Sequence, residues 1–190
     1  KYNNMILDIM TEYIEQKKKC PDDRLISQLI EAKIDGRPIE MSELQNMCTL
    51  LFQGGLHTVT NLSAFAYWNL ANDREVQKAL QEDPKNIPAF SDESIRMFGV
   101  VNTPRIVVKD CERFGLKFKQ GDMVLCMLPL AGRDERVNEN ASEFKLDRGN
   151  RQHLTFSKGP HLCVGSFLAR TELRILTEEW FKQIPSFSIP

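Results

Sequence analysis

Hydrophobic residues recur at helical spacing along most of the chain. In the first stretch Met5, Ile9, Tyr13 and Ile14 fall on one face of a helix, with charged residues elsewhere. The same kind of spacing predicts further helices before residue 100 and one after Cys163. The predicted helices cover residues 3–19, about 22–33, 42–71, 73–81, about 87–98, and a final segment to about 183.

The longest of these predicted helices covers residues 42–71. Ser42 and Gln45 form a capping-box signature at its start. Apolar residues occupy most of its faces, which is typical of a helix buried in a core or in a membrane, and interrupting polar residues favour the core. Gly54 and Gly55 stand at its centre, where glycine is costly, so we expect a bend or the close approach of another group there.

Between residues 100 and 130 the pattern changes. Short runs of β-branched and aromatic residues alternate with Gly and Asp, which predicts short strands. Residues 131–155 are polar and irregular, and such a long segment inside a compact domain is expected to be functional or held by specific contacts. The pattern as a whole predicts a mainly α fold of the α+β class.

Composition narrows the choice of function and compartment. The formal net charge is −1, which argues against a basic nucleic-acid-binding surface. The five cysteines are odd in number and widely spaced, so neither a disulfide framework nor a structural zinc site is expected. A reducing cytoplasm suits this cysteine usage best.

One cysteine, Cys163, stands in the glycine-hinged stretch FSKGPHLCVG, residues 156–165. It comes just before a predicted helix, where backbone N–H groups and the positive end of the helix dipole favour a thiolate. Gly159 permits a tight bend and Gly165 permits close approach by a flat cofactor. Phe156 is placed to pack over the sulfur and keep water away. A metal ligand and a buried structural cysteine are both consistent with the loop alone.

Three motifs together resemble the cytochrome P450 monooxygenases. F-x-x-G-x-x-x-C-x-G at 156–165, followed by LAR at 168–170, resembles the family's haem-ligand signature; ESIR at 93–96 matches its E-x-x-R; LLFQGGLHTV at 50–59 resembles its long central helix. Their order and spacing agree over about residues 5–189, most closely with the camphor-hydroxylating bacterial branch. The resemblance implies a single haem-thiolate domain over 1–190, a C-terminal portion without the N-terminal half and the final strands.

The resemblance also implies a cofactor site. Cys163 would ligate the iron of haem b (iron protoporphyrin IX), because this ligand class is a cysteine thiolate. The remaining implied haem contacts are Arg105 and His161 at the propionates, together with Phe156, Gly55 and Gly165. For Arg105 the alternative is a surface charge on an edge strand, and for His161 it is a histidine that packs within its loop.

The resemblance further implies that Glu93 and Arg96 form a buried pair that holds the polar loop before the cysteine. Arg148 is our candidate for a third member from that loop, and Arg136 is its rival. The alternative is a solvated i,i+3 ion pair on a helix surface.

The oxygen side of the implied site falls on the long helix. Thr58 matches the oxygen-activating threonine of the family, whose hydroxyl orients a water for proton delivery; the alternative is a hydroxyl that bonds its own backbone. His57 stands where the family usually has an acid, so we expect altered proton delivery, since imidazole also relays protons. By position, Val101, Thr103 and Leu50 are candidates for the substrate pocket.

The implied reaction inserts one atom of O2 into a C–H bond of a small apolar substrate, a terpenoid by analogy. NAD(P)H would supply electrons through a reductase and an iron–sulfur ferredoxin, which a basic patch of Lys158, Arg170 and Arg174 would attract unless these residues form an ordinary solvated face. No nucleic acid and no membrane are expected. A peroxide-using or isomerising haem-thiolate enzyme and a non-catalytic haem-binding module are the alternatives.

Overall fold

The computed structural model describes residues 2–189 of the 190-residue chain, with side chains from residue 5 onward. Over residues 2–189 it contains seven α-helices, two short 3₁₀ turns and three two-stranded sheets. The helices are α1 (Tyr2–Lys19), α2 (Leu25–Glu31), α3 (Met41–Asn72), α4 (Arg74–Glu82), α5 (Ile87–Met97), α6 (Leu128–Ala131) and α7 (Ser166–Gln183). The predicted mainly α, α+β class is confirmed.

The second predicted helix, residues 22–33, was too long. Helix α2 spans only Leu25–Glu31, because the residues on both sides of it form other hydrogen bonds. The Asp22 carboxylate accepts the Ser27 hydroxyl at 2.8 Å, and Ser27 in turn accepts the Asp22 N–H at 3.1 Å, which holds the chain in a turn. At the other end, strand β1 (Lys33–Ile34) pairs with β2 (Arg37–Pro38) and ends the helix.

The capping box predicted from Ser42 and Gln45 is also wrong by two positions. Helix α3 begins at Met41, and the Glu40 carbonyl already accepts the Leu44 N–H at 2.9 Å. The Glu43 carboxylate reaches back to the Glu40 N–H at 2.9 Å, which is the arrangement a capping box gives to its third helical residue. The Gln45 amide is used elsewhere, on a hydroxyl of helix α1.

Short strands form over much of the segment 100–130 where the pattern predicts them, but its end is wrong, because Leu128–Ala131 forms helix α6. Strand β3 (Thr103–Ile106) pairs antiparallel with β6 (Met123–Cys126), with Arg105 opposite Val124. Between them, β4 (Cys111–Arg113) and β5 (Leu116–Phe118) form a tight hairpin. Strand β3 thereby carries two predicted site residues, Thr103 and Arg105, on an ordered backbone.

The chain forms two compact units, one that ends at His57 and one that begins at Thr58. The core of the first is formed by Ile14, Leu44 and Cys48. The second has a larger core, in which α5 packs against α7; its buried members are Leu62, Ala66, Leu70, Val76, Leu80, Ile87, Phe90, Ile95 and Leu173. The prediction of a single domain stays a prediction.

Within residues 2–189, no helix combines the length and apolar character that a membrane crossing needs.

Candidate functional site

Main-chain hydrogen bonds shape the cysteine loop, residues 156–165. The Cys163 N–H donates to the Phe156 carbonyl at 2.9 Å, which closes the loop at its base. The Leu162 N–H donates to the Gly159 carbonyl at 3.0 Å, and the Ser166 N–H donates to the Cys163 carbonyl at 3.2 Å. The sulfur is therefore carried by a backbone that is bonded before, at and after the cysteine.

The bend of the loop depends on a left-handed backbone at two positions. Gly159 has φ of 64°, as the predicted tight turn requires, and a 3₁₀ turn follows at Gly159–His161. Ser157 has φ of 61°, a region that residues with a Cβ seldom adopt. Gly165 is different: a Cβ there would lie 3.8 Å from the Cys163 sulfur, an ordinary contact. The chain itself thus does not demand glycine at 165, and its predicted role towards a cofactor stays a prediction.

The environment of the cysteine fits an iron porphyrin. Cys163 is exposed, and the neighbouring Leu162, Val164 and Phe167 expose large apolar side chains, with Phe167 83% exposed. A soft thiol suits iron, and exposed apolar side chains suit the face of a porphyrin. His161 is also exposed, which argues against the loop-packing alternative for this residue.

The Phe156 ring contacts His153 and Arg170, and its predicted place over the Cys163 sulfur stays a prediction. The ring meets the His153 ring edge to face at 5.9 Å and lies under the Arg170 guanidinium at 4.8 Å. The residue is half-buried and packs against the larger core. Within this chain the Cys163 thiol is open to solvent.

Glu93 and Arg96 form a buried bidentate pair on helix α5. Arg96 Nε donates to Glu93 Oε2 at 2.9 Å and Arg96 Nη2 donates to Glu93 Oε1 at 2.7 Å, with both side chains 0% exposed. Their burial excludes the solvated surface pair. Arg148 joins them, since its Nε donates to Glu93 Oε1 at 2.9 Å, whereas Arg136 pairs with Asp134 at the surface.

The two buried arginines hold the irregular segment through its carbonyl groups. Arg96 donates to the carbonyls of Gly132, Ala141 and Glu143, the last two at 2.8 and 3.0 Å. Arg148 donates to the carbonyls of Glu139, Asn140 and Glu143, at 2.6, 3.0 and 2.8 Å. A segment without secondary structure is thereby fixed by side chains, as its length predicts.

Residues 1–183 match the family described as cytochrome P450. The chain belongs to the cytochrome P450 family. It is 31% identical to the probable cytochrome P450 127A1 of Sinorhizobium fredii, over 97% of this chain and 44% of that protein, and 28% identical to the steroid C26-monooxygenase of Mycobacterium tuberculosis, over 96% and 49%. The crystal structure of CYP101J2 superimposes with a TM-score of 0.94 at 37% identity, over 98% of this chain and 48% of that one. The chain spans about half the length of the curated relatives it matches.

In this cytochrome P450 chain the charge environment of Glu93 favours its ionised form. Burial alone would raise the pKa of the Glu93 carboxyl, but hydrogen bonds from Arg96 and Arg148 and from the Lys145 N–H outweigh it and lower the pKa. The carboxylate is thus charged because its partners surround it.

The structure adds members that sequence reasoning missed. Arg151 Nε lies 3.5 Å from Glu93 Oε2, so a third arginine faces the same carboxylate. Asn138 is buried and bonds Gln152 in both directions, at 2.7 and 3.1 Å. At Gly132 an added Cβ would lie 2.2 Å from the Arg96 carbonyl oxygen, so the backbone approaches too closely for any side chain. A loop has no periodic pattern, so only the density of Arg, Asn and Gly hinted at these residues.

The predicted basic patch is largely neutralised. Arg170 Nε donates to Asp92 Oδ1 at 3.0 Å, and Arg174 Nη1 lies 3.8 Å from Glu178 Oε1 on the same helix. Two of the three cations therefore have carboxylate partners within the chain, and the attraction of a ferredoxin to this patch stays a prediction.

Arg105 is exposed on strand β3, and its Nη1 donates to the Pro104 carbonyl at 2.9 Å. The surface-charge alternative therefore remains open beside the propionate role.

The remaining predicted residues are divided between the two units. Leu50, Gly55 and His57 lie in the first, while Thr58 begins the second, which also contains the half-buried Val101 and Thr103. Helix α3 continues unbroken through the glycine pair, and a Cβ at Gly54 or Gly55 would meet nothing within 4 Å. The glycines are thus not required by packing within the chain. Thr58 has an interaction of its own in the structure.

Proposed function

We propose that the protein carrying this chain is a haem-thiolate monooxygenase that inserts one oxygen atom of O2 into a C–H bond. The observation that carries the proposal is the Cys163 thiol, which is exposed at the end of a backbone closed by the Phe156 bond and just before helix α7. Membership of the cytochrome P450 family and the relative named as a monooxygenase support it.

When bound, haem b would supply the oxygen-activating iron chemistry. In this proposal the residues of the chain have four roles in binding the haem and in the reaction. Cys163 Sγ holds the metal, and Arg105 and His161 pair with the propionates. The Thr58 hydroxyl orients a water, and the His57 imidazole passes protons towards it. The buried arginines keep the preceding segment in place and take no part in the chemistry.

The substrate is proposed to be small and apolar, with Leu50, Val101 and Thr103 in the pocket wall. The resemblance to the camphor-hydroxylating branch points to a terpenoid, and one relative is named for a steroid, which is likewise apolar. Electrons are proposed to come from NAD(P)H through a reductase and an iron–sulfur ferredoxin in the cytoplasm. Because Arg170 and Arg174 are paired, Lys158 is the remaining cation of the predicted patch.

The decisive test is the absorption spectrum of the reduced, CO-bound protein. We expect a Soret band shifted by a thiolate ligand in the wild type and in Cys111→Ser, a control at another exposed cysteine. The shifted band should vanish in Cys163→Ser. A shifted band that survives Cys163→Ser would overturn the proposal, and bound haem without product from any substrate would favour the non-catalytic module.

A second function is favoured by His57, which replaces the usual acid beside Thr58. Altered proton delivery would suit an enzyme that takes oxygen from peroxide or rearranges its substrate. Turnover with hydrogen peroxide should be compared with turnover by reduced ferredoxin. For the monooxygenase we expect His57→Asp to change the amount of product formed per NADH consumed, and an unchanged ratio would remove His57 from proton delivery.

A further inference from the structure

His153 stands at the start of the turn that leads into the cysteine loop, and the proposed chemistry does not use it. Its half-buried ring contacts the Phe156 ring edge to face. Its Nδ1 atom accepts the Thr155 N–H at 3.2 Å. A ring nitrogen that accepts a hydrogen bond carries no proton, so the neutral imidazole has its proton on Nε2.

The turn beside His153 contains the Phe156 carbonyl, which is hydrogen-bonded to the Cys163 backbone. The Thr155 hydroxyl donates to the Ile95 carbonyl on helix α5 at 2.7 Å, and the Ser157 N–H donates to the Leu154 carbonyl at 2.8 Å. Between these two anchors the Phe156 carbonyl accepts the Cys163 N–H at 2.9 Å. That carbonyl thus lies in a turn held by three hydrogen bonds, and the His153 acceptor makes one of them.

We propose that neutral His153 is a positioning residue for Cys163. Its Nδ1 fixes the turn so that the Phe156 carbonyl accepts the Cys163 N–H, and protonation of the ring releases this bond between Phe156 and Cys163. Protonation places a hydrogen on Nδ1, which then faces the Thr155 N–H donor to donor. The consequence for catalysis rests on the proposed function, because a loosened loop affects the reaction only if Cys163 holds haem.

The charges around the ring oppose its protonation near neutral pH. Two cations and one anion are close enough to influence the charge of the imidazole: Arg170 of helix α7, and Arg96 and Asp92 of helix α5. Burial and then Arg170 lower the pKa of His153, while Asp92 acts in the opposite direction. The contact is thus intact at neutral pH and is released only below about pH 6.5, the ordinary value of a histidine.

Two variants separate the acceptor from the ring. His153→Asn keeps an acceptor that can reach the N–H two residues on, as in an Asx turn, but does not titrate. His153→Phe keeps an aromatic ring beside Phe156 but has no acceptor. The measurement is hydrogen exchange resolved at the Cys163 amide and corrected for intrinsic rates, in the protein that carries this chain, across the range from neutral to acid pH.

In the wild type we expect the protection of the Cys163 amide to fall about fivefold in acid, the size of one ordinary hydrogen bond. His153→Asn should keep its protection throughout, and His153→Phe should show the reduced value at every pH. The Ala169 amide, which donates to the Gly165 carbonyl at 2.9 Å in helix α7, is the internal control and should not respond. The same acid loss in His153→Asn as in the wild type would overturn the proposal, and this variant decides alone if His153→Phe does not fold.

A second readout keeps this inference separate from the proposed function. The fraction of haem with the thiolate-shifted Soret band should fall in acid in the wild type and stay level in His153→Asn. A shifted band with equal pH dependence in both proteins would sink the positioning role alone. No shifted band in any protein at any pH would instead sink the proposed function, while the exchange result would still decide what His153 does to the backbone.

Discussion

The arginine cluster (Glu93, Arg96, Arg148 and Arg151) and the cysteine loop (residues 156–165) follow opposite principles within one compact unit. In the cluster a fully buried carboxylate is surrounded by donors from the chain itself. In the loop the backbone is also held by hydrogen bonds, but the Cys163 thiol and the apolar side chains next to it are exposed. The chain thus pairs its own charges in one region and exposes a thiol and apolar groups in the other.

This difference separates residues that maintain the fold from residues that face the haem in the proposed function. A buried charge that loses its partner is costly, so the cluster should be intolerant of single substitutions. An exposed group costs little to change, so the loop should tolerate substitution in stability while losing function.

The largest effect is expected from Glu93→Gln. The change leaves two buried guanidinium groups without their carboxylate, which should lower the free energy of unfolding by about 3–5 kcal/mol. Urea unfolding followed by circular dichroism measures it. Glu172→Gln, at an exposed position on helix α7, is the matched control and should change stability by less than about 0.5 kcal/mol. Equal midpoints for the two variants would contradict the view that the cluster is a stability element.

Gly132→Ala should be the next most damaging. Its Cβ would lie 2.2 Å from the Arg96 carbonyl oxygen, which belongs to helix α5 and cannot rotate away. We expect a loss of about 1–3 kcal/mol from the forced shift of backbone. Gly149→Ala in the same segment is the control, because a Cβ there would meet nothing within 4 Å. A harmless Gly132→Ala would mean that the segment can move away from helix α5 at little cost.

The helices and the arginine cluster show how much of the structure can be predicted from the sequence. Helices α3 and α7 were predicted to within a few residues because their apolar periodicity is sustained over many turns. The family resemblance singled out Arg148 ahead of Arg136. Arg151 and Asn138 were missed, since their contacts join positions in a loop that has no period.

Local competition and distant pairing explain the other errors. At the start of α3 the spacing of Ser42 and Gln45 predicted the capping box, whereas the Glu43 carboxylate accepts the Glu40 N–H in the structure. The charge of Arg170 looked available because its partner, Asp92, lies on a helix that precedes it by 78 positions. Such pairs follow from the packing of α5 against α7, which one sequence does not reveal.

Acid should weaken the cluster in a definite direction. The folded pKa of Glu93 lies below its unfolded value, so its stabilisation is complete above about pH 4.3 and is lost as the pH falls through the folded value. We expect the urea midpoint to fall in this window in the wild type. Glu93→Gln, which has nothing to titrate there, should give a flatter curve. Parallel curves would show that folding does not lower the pKa of Glu93.

A smaller effect is expected where the two regions meet, at the pair of Asp92 and Arg170. Both side chains are about half exposed, so solvent screens the pair, and a double-mutant cycle with Asp92→Asn and Arg170→Gln should give a coupling of about 0.2–1 kcal/mol. Arg170 also lies over the Phe156 ring, a contact that Asp92→Asn leaves in place. Arg170→Gln should therefore be the more destabilising single variant. Equal losses for both singles would mean that the ring contact contributes nothing.

The smallest change in stability is expected from Cys163→Ser in protein prepared without haem. The thiol is exposed, so replacing sulfur by oxygen should alter the free energy of unfolding by no more than about 0.5 kcal/mol. With haem present, the wild type alone should gain stability through a thiolate–iron bond, because a ligand that binds only the folded state stabilises it by mass action. The unfolding midpoints of the wild type and Cys163→Ser should therefore differ only when haem is added. A large gap without haem would make Cys163 a structural residue like those of the arginine cluster, and the contrast between the two regions would fail.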